Sequence, residues 1–195
     1  GDAVAQFKLG MCYSKGEGVP KNEIDAVKWV RRAAESGYML AQCCLAELYD
    51  VGIGVPKNQA ESFKWFLKAA EQGNPEAQYN VGIAYYQGAG IQKNDSVAVK
   101  WFQKAAEQGF PNAQFILGVS YASGEGIIKD EFESIKWYRK AANQGFAPAQ
   151  ANLGACYSRG IGVAKDETEA AIWYHKSAEQ GYAKAQLLLG LAYSM

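Results

Sequence analysis

Histidine is all but missing from this sequence: His175 is the one imidazole among 195 residues. Serines such as Ser14, Ser120 and Ser158 therefore have no partner base at a comparable position, so a hydrolytic triad has no candidate. A histidine-based metal site lacks a second ligand. Charge of one sign is also missing, because twenty basic residues cancel twenty acidic ones. No broad positive field favours nucleic acid or an anionic membrane surface. Long apolar runs are absent, none approaching the ~20 residues of a membrane span. The start, Gly1-Asp2-Ala3, has no basic-then-apolar signal segment. The expectation is a soluble chain without membrane insertion, cytoplasmic or, if a signal has been removed, periplasmic or secreted. Cysteines are few and irregular. Cys12, Cys43, Cys44 and Cys156 make no disulfide framework. They read as small apolar residues, and a reducing compartment is compatible with them.

What the sequence does have is a strict period. Trp29, Trp65, Trp101, Trp137 and Trp173 recur every 36 residues, as do Gly37, Gly73, Gly109, Gly145 and Gly181. A period in that range marks a solenoid, in which two helices cannot bury their apolar faces alone and neighbouring units must stack. The expected organisation is one elongated, curved domain over 1–195. Its repeats run at about 2–37, 38–73, 74–109, 110–145 and 146–181, with a partial sixth at 182–195. Eleven helices and no strands follow. The chain opens at a helix and closes inside a sixth repeat without a polar capping unit. It therefore reads as a candidate segment of something longer, or as a chain that self-associates through its unpaired last helix.

Within a repeat the first helix carries Ala-Gln and then Leu-Gly-x-x-Tyr, as in Ala5-Gln6, Leu9-Gly10 and Tyr13. Ala, Leu and Tyr at i, i+4 and i+8 form one buried stripe. The mid-helix glycine, at Gly10, Gly82, Gly118, Gly154 and Gly190 with Ala46 the exception, implies a close helix crossing, since glycine there costs about 1 kcal/mol against alanine. A Gly-x-Gly loop follows. Its first glycine suits a left-handed C-cap and its second a tight turn, and the next Val or Ile tucks under the hairpin. Asn22, Asn58, Asn94, Asp130 and Asp166 are N-caps of the second helix. Asp25, Glu61, Glu133 and Glu169 stand three positions later, the pattern of a reciprocal capping box, which only Val97 breaks. The second helix holds the tryptophan and paired alanines around more than half its girth, as suits a helix between neighbours. Gly37 and its equivalents end it, and Pro75 and Pro111 set the first turn of the next repeat. The Gly-x-Gly loops follow helices and lack Gly-Lys-Ser/Thr, so they are not phosphate loops.

The assembled pattern, A-Q-x-x-L-G-x-x-Y-x-x-G-x-G-V-x-K-[ND]-x-x-x-A-x-x-W-[FY]-x-K-A-A-E-x-G, resembles the Sel1-like repeat family, relatives of tetratricopeptide repeats, over essentially the whole chain. The resemblance implies an all-α fold, a right-handed α/α superhelix of stacked antiparallel helix pairs with five full repeats and a terminal helix. It implies a non-enzymatic adaptor or scaffold for a protein or peptide partner, in bacteria often at the cell envelope or in host contact, with no cofactor. A cysteine-rich bacterial branch staples each hairpin with disulfides and is linked to penicillin binding or hydrolysis. This chain departs from that branch by lacking paired cysteines in every repeat. A β-lactam-binding or hydrolysing envelope relative is the second expectation, and a structural segment of a larger multi-domain protein the third.

By the same resemblance the first helices line a concave face, and their positions that vary between repeats are the candidate partner-binding residues. Phe7, Tyr79 and Phe115 fall in one such class, and Met11, Glu47, Ile83 and Val119 in a second. Asp50 and Tyr86 belong to a third, and Lys15, Gln87 and Arg159 to a fourth. Aromatic anchors Tyr79, Tyr86 and Phe115 would hold an extended peptide or helix in a groove. Equally, Phe7, Tyr79 and Phe115 serve simple packing between adjacent first helices. Glu47 and Asp50, at i and i+3, could pair for acid/base work or a hard cation, yet read as solvated acids. His175 stands where other repeats have Arg31, Leu67, Gln103 and Arg139, a variable outer-face position. Lys28, Lys64, Lys100 and Lys136 form a solvated ridge that Ile172 interrupts.

Overall fold

The computed structural model describes residues 1–192, which form helices α1 (Ala3–Lys15), α2 (Glu23–Glu35), α3 (Met39–Val51), α4 (Gln59–Glu71), α5 (Pro75–Gln87), α6 (Asp95–Glu107), α7 (Pro111–Ser123), α8 (Glu131–Asn143), α9 (Ala147–Arg159), α10 (Glu167–Glu179) and α11 (Ala183–Ala192). Among the described residues there is no strand. The all-helical repeat order is borne out, odd-numbered helices being the first of each repeat and even-numbered ones the second. Residues 193–195 of the expected sixth repeat lie outside the described residues.

Local chemistry sets the helix ends. Asn22 Oδ1 accepts from the N–H groups of Ile24 and Asp25 at 3.1 Å, and Asn58, Asn94, Asp130 and Asp166 cap their helices in the same way. A cap of this kind contributes about 1 kcal/mol. The reciprocal half of the capping box is not formed. The N-cap N–H is already engaged, Asn22 donating to the Tyr13 carbonyl at 2.9 Å and Asn58 to that of Tyr49 at 2.9 Å. Asp25, Glu61 and Glu133 turn instead to Lys28, Lys64 and Lys136, one helical turn on. The second helices end in Schellman motifs: Gly37, with φ of 88°, donates to Ala34 at 3.0 Å and Tyr38 to Ala33 at 3.1 Å.

The helices group into two compact units, Gly1–Trp101 and the part from Phe102 on. In the first, Leu45 is fully buried among Val27, Val30, Ala33 and Ala41, and Val81 lies among Phe63, Ala69 and Ala77, with Trp101 packed alongside. In the second, Leu153 is buried among Ile135, Tyr138, Ala141 and Ala149. Each cluster joins the second helix of one repeat to the first helix of the next, so a repeat's apolar face is buried by its successor. Cys43 and Cys44 diverge as expected, packing against different clusters.

Neighbours explain the mid-helix glycines Gly10, Gly118 and Gly154, but not Gly190, where the expected close crossing is absent because an added Cβ would meet nothing within 4 Å. A Cβ on Gly10 would stand 2.8 Å from Val30 Cγ2 and 3.1 Å from the Ala26 carbonyl. On Gly154 it would stand 2.8 Å from the Tyr174 ring. The second loop glycine does more than turn the chain. A Cβ on Gly54, Gly90 or Gly162 would collide with the Glu23, Gln59 or Glu131 carbonyl of the preceding repeat.

Between repeats runs a glutamine relay that the motif Ala-Gln alone did not reveal. Buried Gln42 donates Nε2 to the Ala34 carbonyl at 3.2 Å, in the last turn of α2, and its Oε1 accepts from Nε2 of Gln72, the C-cap of α4, at 2.6 Å. In the second unit Gln114 bonds Ala106 at 3.1 Å and accepts from Gln144 at 2.8 Å, while Gln150 bonds Ala142 at 3.1 Å and accepts from Gln180 at 2.8 Å. One rung is incomplete. Gln6 Oε1 is buried without a partner, because Ser36 stands where later repeats have glutamine and its hydroxyl donates to the Arg32 carbonyl. Ser36→Gln is expected to supply that donor and raise stability by about 0.5–1 kcal/mol, measured by urea unfolding. An unchanged midpoint would show that the relay contributes nothing at this rung.

Candidate functional site

Each unit has a cleft beside its own first helices. The first, about 120 Å³, lies among α3, α4 and α5. The second, about 310 Å³, lies among α7, α8, α9 and α11. They occupy the same place on the repeat, two repeats apart. Ser62, Phe66 and Asn80 of the first correspond to Ser134, Tyr138 and Asn152 of the second. Around this shared frame the lining changes. Asp50, Ile83 and Gln87 become Ala122, Ala155 and Arg159. Two smaller side chains, Ala122 and Ala155, and the loss of an acid accompany the larger volume, while Arg159 is larger than Gln87.

The frame of the second cleft is held from beneath. Ser134 Oγ donates to the Gly118 carbonyl at 2.8 Å, at the helix crossing that glycine permits. The Tyr138 hydroxyl lies near the polar side chains of Asn152 and Ser134. Burial pushes the Tyr138 phenol above its ordinary range, and the neighbouring Asn152 and Ser134 side chains partly offset the rise. Cys156 also lines this cleft, and burial pushes its thiol up to about 11, with Arg159 pulling the other way.

The sequence candidates separate into groups. Asp50, Ile83 and Gln87 meet in the first cleft, and Arg159 lines the second. Tyr86 is 40% exposed, with Lys93 Nζ 5.2 Å from its ring centre. Lys15 is exposed beside Glu17 at 3.8 Å. Phe7 packs edge-on against Tyr38 at 5.4 Å, and Phe115 against Phe146 at 5.5 Å and Tyr138 at 5.9 Å. Val119 joins the same cluster as Phe115. Met11 and Tyr79 are half-buried and line neither cleft; burial raises the Tyr79 phenol. The residues missed are Asn80 and Asn152, Tyr138 and Lys184. Asn80 and Asn152 share a first-helix position that also holds Lys8, Cys44 and Ile116, a variability that marks it as a lining position. Tyr138 was hidden because its ring belongs to the core.

Glu47 is exposed on α3 beside Cys43 and Cys44, whose thiols burial and then Glu47 push up to about 11. Burial and then Glu76 raise the Glu47 carboxyl. His175 and Glu179 lie 3.5 Å apart on the open face of α10. Among the described residues no three His, Cys, Asp or Glu side chains gather as a metal site, and no helix is long and apolar enough to cross a membrane.

The Sel1 repeat family model matches residues 3–38, 40–74, 75–110, 111–146 and 147–182. Among solved structures, a protective antigen present in uropathogenic Escherichia coli strains, displaying an SLR fold, superposes with a TM-score of 0.93 at 41% identity. The alignment covers 97% of this chain and 40% of that one, so the chain spans well under half the antigen's length. A Sel1 repeat protein from Oxalobacter formigenes gives a TM-score of 0.88 at 37% identity, covering 96% of this chain and 75% of that one. The Helicobacter pylori cysteine rich protein B shares the fold at 23% identity and a TM-score of 0.53, over 66% of this chain and 92% of its own. No curated protein sequence matches the chain.

A raised carboxyl pKa means that folded Glu47 holds its proton to higher pH than the unfolded chain does. Its contribution favours the fold while protonated, and is lost as pH rises from the ordinary carboxylate range through the raised folded value. Glu47→Gln is therefore expected to raise the Tm at pH 7 and to leave it unchanged near pH 3.5. A Tm that falls at pH 7 would contradict the assigned environment.

Proposed function

The chain belongs to the Sel1 repeat family, and from that membership we propose that it is a non-enzymatic protein-interaction module that takes an extended peptide segment of a partner protein along its first-helix face. Sel1 repeat proteins are generally protein-interaction scaffolds. The observation that carries the binding face is the pair of equivalent clefts. They are framed alike by Ser62 and Asn80 or Ser134 and Asn152, but lined by side chains that differ. In stacked repeats a cleft-lining side chain that changes between repeats, and is not packed into the core, is free to recognise something else. Asp50, Ile83, Gln87 and Arg159 are of this kind. Tyr86 is an exposed aromatic on the same first-helix face, the residue type that most often dominates binding energy.

The non-enzymatic reading is supported by what the clefts do with their nucleophile-class groups. The Cys156 thiol, held at about 11, stays protonated at neutral pH, and the Ser134 hydroxyl is engaged by a backbone carbonyl. His175 lies on α10 away from both clefts.

Affinity capture from the source cell tests the face. Replacing Asp50, Ile83 and Gln87 together by alanine should reduce recovery of a partner at least tenfold while the Tm moves by only a few degrees. Phe115→Ala should instead lower stability, by roughly 2–4 kcal/mol, and spare recovery in proportion to the protein that stays folded. Equal recovery by wild type and the cleft variant would reject this face.

A further inference from the structure

We infer that the larger cleft, in the second unit, selects an acidic peptide segment, its carboxylates received by Arg159 and Lys184. The inference rests on the peptide-binding reading above and adds the chemistry of the occupant. Among the described residues, eight lysines are neutralised by a nearby acid, Lys129 of this same cleft among them, at 2.8 Å from Glu131. Arg159 and Lys184 have no such partner, and both line the cleft, from α9 and α11. Two uncompensated cations in one concave site raise the local concentration of anions. The Arg159 guanidinium suits a planar carboxylate, which it can bind through two parallel N–H groups.

The rest of the lining fits an acidic segment with apolar neighbours. Asn152 of α9 adds an amide to the lining, while Ala155, Ile161 and Leu188 form apolar walls. The first cleft acts as an internal control. On the same frame it has Asp50 where the second has Ala122, and Gln87 where the second has Arg159. An acid at the first position repels a carboxylate and nothing at the second attracts one. The two clefts therefore differ in charge on a common frame, which is specificity by repulsion as much as by attraction.

The probe is a fluorescein-labelled peptide of pattern Gly-Gly-Glu-Leu-Glu-Leu-Gly-Gly, compared with its Gln counterpart by anisotropy on the full chain. The Glu peptide is expected to bind at least tenfold more tightly, and 0.5 M NaCl should remove most of that preference by screening. Arg159→Gln with Lys184→Gln should abolish the preference; both side chains are exposed, so the fold is kept and an unchanged melting curve verifies it. Asp50→Ala with Gln87→Arg should create an acidic-peptide site in the first cleft, raising the binding stoichiometry. Equal binding of the two peptides, a preference that survives the double substitution, or no binding of either peptide at 1 mM overturns the inference. Should the peptide preference fail while the cleft variant of the preceding section still loses its partner, only the charge assignment falls. Should both fail, the interaction reading falls with it.

Discussion

One buried amide per repeat ties three helices together. Gln42, Gln114 and Gln150 each donate to a carbonyl in the last turn of the preceding second helix, and each accepts the amide of a glutamine at the end of their own repeat's second helix. Apolar burial brings the helices together but is indifferent to small slips along their axes. A pair of directed hydrogen bonds in a buried site is not, because a slip would leave two desolvated amide groups unpaired at about 1–3 kcal/mol each. Register between repeats follows from the relay, and with it the close approaches of Gly54 and Gly162 to carbonyls of the preceding repeat.

Fixed register is what turns variable side chains into a site. The shared frame includes residues that also hold the helices together, Ser134 joining α8 to α7 through the Gly118 carbonyl and Tyr138 packed in the core. Residues placed on that frame inherit its geometry. Asp50 and Ala122, or Gln87 and Arg159, can therefore differ in charge and size without disturbing the stack. A solenoid thus separates the chemistry of folding from that of recognition within a single helix.

Much of the fold was legible from spacing, because caps, C-terminal glycines and the buried stripe are local or periodic signals. The asparagine and aspartate caps and the glycine C-caps lie where their residue types imply. The capping box failed because the N-cap N–H faces a tyrosine carbonyl of the preceding helix, a partner that no spacing rule within one helix contains. The glutamines were visible as a motif but silent as to role, since their partners lie 8 and 30 residues away. The candidate site was legible in part. Variability pointed to Asp50, Ile83, Gln87 and Arg159, which line clefts, and equally to Phe115, which packs on Phe146 and Tyr138. Sequence variation marks freedom from strict stacking, but an aromatic can vary in the core as long as something apolar fills the space.

The most direct measurement is a double-mutant cycle on Gln114 and Gln144, with each replaced by alanine singly and together, and unfolding free energies obtained in urea. If the relay sets the register between repeats, the two substitutions are coupled by about 0.5–1.5 kcal/mol, the double variant losing less than the sum of the single losses. Additive losses, with no coupling beyond experimental error, would contradict the account and leave apolar stacking alone to align the repeats.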